Sequence, residues 1–179
     1  QLDVVECSQN AYFRQVEFPL GYSCYKAIDE RIEGFGTRLD LEKKGDSAIY
    51  ELAAVSKISQ IMMFFFNGES RQYDITIQAA HIGAHYPYDV NKAQWTTVFQ
   101  GKTANVGINQ PVLLTFSTPI EAQFIRIIGN GAYNDNSNTI LNFHTSIKEL
   151  LFFGQKTDEV YTYQNTATTS TTPTLVFPN

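Results

Sequence analysis

Three histidines, two cysteines and a scatter of carboxylates are the residues of this chain best suited to chemistry. His81, His85 and His144 could in principle ligate zinc. The spacing of the first pair works on a helix, but Gly83 and Pro87 interrupt that segment, so the pair cannot share a helical face. Cys7 and Cys24 admit a single pairing, and neither lies in a Cys-x-x-Cys or Cys/His cluster with zinc spacing. They read either as a structural disulfide formed in an oxidising compartment or as two buried free thiols. There is no Gly-x-Ser-x-Gly elbow for a serine nucleophile. Gly34-Phe35-Gly36 lacks the third glycine and the preceding strand of a dinucleotide loop. Glu30, Glu33 and Asp135 have no spacing suited to glycosidase work. The residues point away from an enzyme.

The elements that would position any site are strands. Charged residues make up only 17% of the 179, while aromatic residues reach 13%, dominated by 13 Phe and 10 Tyr. That balance suits β-structure and an extracellular setting. With 13 basic against 18 acidic residues the net charge is -5, which argues against a nucleic-acid partner. Strand-length runs occupy Ile58 to Phe66, Arg71 to Gln78, Gln94 to Gln100, Val112 to Phe116, Ala122 to Ile128 and Ser146 to Phe153. Asn67-Gly68 marks a tight turn between the first two. Gly101, Pro111, Pro119, Gly129 and Gly154 punctuate the others. One helical turn is expected at Tyr25 to Arg31. The fold class is all-β, a two-sheet sandwich.

Two long loops, Ala80 to Ala93 and the Asn-rich Asn130 to His144, are of a length that is usually functional or disordered. No apolar run is long enough to cross a bilayer; the longest is Ile61 to Phe66. The chain is expected to be secreted, with Gln1 as the residue left after signal cleavage. The last 20 residues, Val160 to Asn179, hold seven Thr and no charge. They read as a Thr-rich linker or tail, or as a strand donated to a neighbouring copy.

Three groups of segments, in order, resemble the discoidin, or coagulation factor 5/8 type C, superfamily. The first is Ala27-Ile28-Asp29, a glycine-containing loop, Thr37-Arg38, and Ser47 to Leu52. The second is Gly68 to Ile75, followed by Trp95-Thr96-Thr97-Val98. The third is Gln123 to Gly129, an Asn-rich loop, and Thr145 to Gly154. The closest resemblance is to family 32 carbohydrate-binding modules of the kind attached to alginate lyases. Three positions depart from the family pattern. The long His81 to Ala93 insertion replaces a turn before Trp95, Leu39 stands where a Trp usually follows Arg38, and Glu51-Leu52-Ala53 replaces an Asp-Leu-Gly.

The resemblance implies a jelly-roll, galactose-binding-like β-sandwich over residues 1 to 155, followed by the Thr-rich arm from 156 to 179. It also implies a non-catalytic, lectin-like role, with a polysaccharide or cell-surface glycan as partner at loops clustered at one end. A structural Ca2+ in such domains would here take oxygens from Asp29, Thr37 and Glu149, with carbonyls near Tyr25 and Ile32. A sugar site needs an aromatic face for pyranose C–H groups and planar polar groups for its hydroxyls. The matching positions are Arg71, Tyr133, Asn134, Asn136 and His144. Tyr86 and Tyr88 of the inserted loop would form a second platform or an interface patch. A guanidinium at Arg71 suits a uronate carboxylate; the plain alternative is an ion pair with Glu69 or Asp74. Trp95 is expected inside the sandwich. The rival function is a structural subunit of an extracellular fibre or sheath, assembled from copies of itself through the arm.

Overall fold

The computed structural model describes residues 1–9, 24–29, 32, 38–81, 93–134 and 139–157. Among the described residues are eight strands: β1 (Val4–Gln9), which precedes a short 3-10 helix, then β2 (Leu39–Leu41), β3 (Ser47–Phe65), β4 (Arg71–Ala80), β5 (Thr96–Lys102), β6 (Val112–Asn134), β7 (Ile140–Asn142) and β8 (Thr145–Lys156). The short 3-10 helix spans Cys24–Ile28, overlapping the helical turn expected at Tyr25 to Arg31 and starting one residue before it. All strand pairs are antiparallel, in the hydrogen-bonded order β2-β8-β3-β6-β4-β5, with β1 on β3 and β7 on β6.

Two of these strands are long enough to belong to both layers of the sandwich. The first part of β3 lies between β1 and the second part of β6, and its later part lies between β8 and the first part of β6. The change of neighbours falls at irregularities between Glu51 and Ser56 and between Ile58 and Gln60. A bulge adds a residue on one strand, bends it and increases its twist, so a single strand can turn the corner. One layer is therefore β1, early β3, late β6, β4 and β5; the other is β2, β8, late β3 and early β6.

Alternation sets which residues meet between the layers. Tyr73, Ile75, Ile77 and Ala79 of β4 lie buried on one face, opposite Ala132, Gly129, Ile127 and Ile125 of β6. From the other layer Leu39, Leu41, Ile58, Ile61, Met63, Ile147 and Phe152 complete the same core. The Cys7 and Cys24 sulfurs are joined in a disulfide that ties β1 to the 3-10 helix, and both residues are buried in that core.

The sequence punctuation at Pro119 and Gly129 does not end strands. Both lie inside β6, a 23-residue strand. Pro119 sits where early β6 pairs only with β3, so its missing N–H faces a free edge and breaks no ladder bond. Gly129 faces inward, where an added Cβ would lie 2.9 Å from the Thr145 Cβ and 3.2 Å from that of Leu41. The Asn-rich loop is accordingly shorter than expected. β6 continues to Asn134, and β7 returns to pair with Ala132 and Tyr133. The arm expected from 156 onward is described only to Thr157, whose N–H donates to the Val55 carbonyl. The linker and strand-donation readings of the arm lie outside the described residues.

Candidate functional site

The rim of the sandwich, where β3 turns into β4 and β6 ends, gathers the polar and aromatic groups. The turn at residues 66–70 is closed by the Ser70 N–H donating to the Asn67 carbonyl, with Asn67 at φ 53°. Asn tolerates that left-handed conformation better than most residues, which is why Asn67-Gly68 makes the corner. The turn projects the Phe66 ring over the rim. The Phe66 N–H donates to the Ser146 carbonyl, and the Tyr73 hydroxyl donates to the Phe66 carbonyl, so the ring is held from both layers.

Two guanidiniums approach that ring. The Arg38 carbon lies 4.2 Å from the ring centroid and that of Arg71 lies 6.0 Å away. Arg38 is committed, since its Nε donates to both oxygens of buried Asp40 at 3.0 and 3.1 Å. Among the described residues no carboxylate pairs with Arg71. The ion pairs with Glu69 or Asp74 that would have made it a plain structural residue are not formed; Asp74 instead accepts from the Asn130 amide. Burial pushes the Tyr73 phenol above its ordinary range, and the Arg71 charge beside it acts in the opposite direction. Arg71 is thus a partly exposed cation that hydrogen-bonds the Tyr73 hydroxyl and stands at the outer reach of the Phe66 ring.

Register divides the expected sugar-binding residues. Arg71 is opposite Asn134, and Gln72 is opposite Tyr133. Cross-strand partners share a face and neighbours along a strand do not. Arg71 and Asn134 therefore face the rim between the layers. Tyr133 faces outward, where the Lys102 ammonium lies 3.9 Å from its ring centroid. His144 is exposed between β7 and β8, with its N–H donating to the Asn142 side-chain oxygen. Asn136, Tyr86 and Tyr88 lie outside the described residues, as does His85.

Phe143 was not among the expected site residues, yet its ring is 46% exposed at this end. An added Cβ at Gly131, which has φ 137°, would lie 3.7 Å from Phe143 Cδ1. The glycine gives the ring a seat beside Tyr133. An exposed Phe directly after an Asn-rich stretch is the signal that the sequence offered.

Trp95 is not inside the sandwich. It packs half-buried on the outward face of the first layer, against Ile49, Ala80 and Phe124, a small cluster separate from the main core. Phe124 and Ile125 are neighbours on one strand, and only Ile125 points between the layers. The Arg126 guanidinium lies 4.6 Å from the Trp95 ring centroid, and its Nε donates to Gln78 at 2.8 Å.

Of the residues expected to hold calcium, Glu149 and Asp29 lie on the flank of the sandwich by the 3-10 helix. Glu149 is only 2% exposed. Its charge adds to burial in pushing the neighbouring Tyr50 phenol far above its ordinary range. A cleft of about 180 Å³ is lined by Glu149 and Ile28 together with residues 1–4 and 150–152. Asp29 closes the helix and lies 3.7 Å from the Lys26 ammonium. Thr37 lies outside the described residues. Among the described residues no three His, Cys, Asp or Glu side chains are grouped to hold a metal. Among the described residues no helix is long and apolar enough to cross a membrane.

The fold so built is the discoidin-like β-sandwich of family 32 carbohydrate-binding modules. The chain is similar to the family 32 module of AlyQ, solved in complex with 4,5-unsaturated mannuronic acid (TM-score 0.62, 23% identity, covering 86% of this chain and 97% of that one). It is also similar to a pectin-binding carbohydrate-binding module (TM-score 0.64, 19% identity, 85% and 91%). A third is the family 32 module of C. perfringens NanJ in complex with galactose (TM-score 0.56, 19% identity, 82% and 90%). Some similar chains are whole enzymes of which this fold is one part. A truncated AlyQ carrying both the module and an alginate lyase domain is covered over 34% of its length. No protein-family model and no curated protein matches the sequence.

Proposed function

We propose that this chain is a non-catalytic, extracellular carbohydrate-binding module whose rim site takes an acidic polysaccharide. The observation that carries the reading is Arg71, a guanidinium with no carboxylate partner among the described residues, standing 6.0 Å from the centroid of the Phe66 ring. A uronate offers what such a group lacks. Its carboxylate accepts two parallel N–H bonds, and an apolar pyranose face can lie on the aromatic ring. Asn134 shares the face and supplies amide donors and acceptors for hydroxyls. One of the similar modules was solved with 4,5-unsaturated mannuronic acid and another is described as pectin-binding, which supports an acidic ligand here.

The Cys7–Cys24 disulfide supports an oxidising, extracellular setting. A structural Ca2+ beside Glu149, which lines the flank cleft, belongs to the same proposal. Glu149 and Asp29 supply hard carboxylate oxygens, Thr37 a hydroxyl, and a buried carboxylate beside a buried phenol gains from a cation's charge. The ion would pin the 3-10 helix to β8 and take no part in chemistry. A glycan array run in calcium and in chelator, with uronate polymers included, tests the reading. Binding concentrated on uronate polymers is expected; binding confined to neutral sugars would contradict it.

A further inference from the structure

The outward face of the first layer carries a second pattern that the rim site does not use. Gln72, Asp74, Thr76 and Gln78 alternate along β4 on the face away from Tyr73, Ile75 and Ile77; Thr76 is buried and accepts from the Asn130 amide, and the Gln78 amide bridges Arg126 and Thr97. At one end of this row stands Tyr133 with the Lys102 ammonium 3.9 Å from its ring centroid. At the other stands Trp95 with the Arg126 guanidinium 4.6 Å from its ring centroid, tied to Gln78. From the level of Gln72 to that of Gln78 a strand rises about 20 Å. That is room for several linked pyranose units. Two aromatic–cation pairs thus bracket a strip of amides and hydroxyls on a sheet face.

We propose that this face is an extended saccharide surface, which carries the onward run of an acidic polysaccharide whose neighbouring sugar is held at Arg71. The inference rests on the rim reading. Gln72 and Tyr133 are one residue along from Arg71 and Asn134, so the rim opens directly onto the face. Aromatic rings serve the sugars' apolar faces, side-chain amides their hydroxyls, and Lys102 and Arg126 their carboxylates. Asp74 is the one acidic group in the β4 row, and the Asn130 amide, 3.5 Å away, turns one of its oxygens to a neutral partner. Phe143, exposed beside Gly131, widens the platform at the rim end.

Calorimetric titration of the full chain with a uronate disaccharide and a uronate hexasaccharide tests this. Wild type should bind the hexasaccharide about tenfold more tightly, the gain expected of one or two added stacking contacts. Tyr133→Ala and Lys102→Ala should bind the disaccharide as wild type does and lose most of that gain. Arg71→Ala should weaken both lengths. Lys102→Ala leaves the buried side chains of the sheet in place, so it reports even if Tyr133→Ala folds poorly. Equal affinity for the two lengths in wild type, or a gain unchanged in Lys102→Ala, would overturn the sheet-face surface and leave the rim site standing. Failure of wild type to bind either length would remove both.

Discussion

Arg71 and Tyr133 are one register step apart on paired strands, yet they face opposite sides of the sheet. Arg71 looks into the rim, where it meets the Phe66 ring; Tyr133 looks outward, where it meets Lys102. A single set of sugar contacts cannot include both side chains on one pyranose. The two positions instead define adjoining surfaces, which is why a ligand with several sugars suits this end better than a single one.

Gly154 should tolerate no side chain. It pairs with Ile58 beside the irregularity in β3, and an added Cβ would fall on the Lys57 carbonyl oxygen, with the Ile58 Cα at 2.9 Å. Both obstacles are backbone, so the strands must part. Gly154→Ala is expected to destabilise by about 3 kcal/mol, the upper end for overpacking. Urea titration measures this; a variant as stable as wild type would show that β8 pairs differently at this point.

Calcium should stabilise the fold through Glu149. At roughly a hundredfold excess over its dissociation constant, an ion bound only by the native state contributes about 2.7 kcal/mol. The melting temperature is expected to rise by several degrees with calcium and to fall with chelator. Glu149→Gln preserves the shape but removes the charge, so it should abolish the calcium increment. Identical melting in calcium and chelator would dispose of the site.

Tyr50 and Tyr73 should resist alkaline titration. Burial raises both phenols, with the Glu149 charge adding to the effect at Tyr50. A phenol raised in the folded state holds its proton more tightly than in the unfolded chain. Its contribution to stability is therefore complete below the ordinary phenol range near pH 10 and falls as pH rises beyond it. Absorbance at the phenolate band should show the exposed tyrosines ionising first, with the buried pair released only as the fold melts. Smooth ionisation of every tyrosine before any loss of structure would contradict the burial at these positions.

The all-β class and the sandwich were legible because alternation at residues such as Tyr73, Ile75 and Ile77 survives in the sequence whatever the pairing, whereas the order of the strands was not. Strand ends were not. Pro119 and Gly129 look like stops, and only their neighbours explain otherwise: a free edge for the proline, and the Thr145 and Leu41 side chains against the glycine. The two bends that carry β3 from one layer to the other leave no periodicity to read. Arg71 was legible from its place after the Asn67-Gly68 turn. The facing of Tyr133 was not, since it depends on the register shift between Asp74 and Ile75 and not on Tyr133 itself. Trp95 misled for the same reason. Its type suggests a core residue, but the sheet has a second face with an apolar cluster of its own.

The account stands most directly on Arg71. Titrating wild type and Arg71→Ala with a soluble uronate oligosaccharide, with melting curves of both, separates binding from folding. The account predicts that Arg71→Ala loses affinity by about tenfold or more, in line with the loss of a charge-assisted bidentate contact, while its melting temperature stays at the wild-type value. Unchanged affinity, or a fall in melting temperature that accounts for the loss, would show that Arg71 holds the rim together and not the sugar.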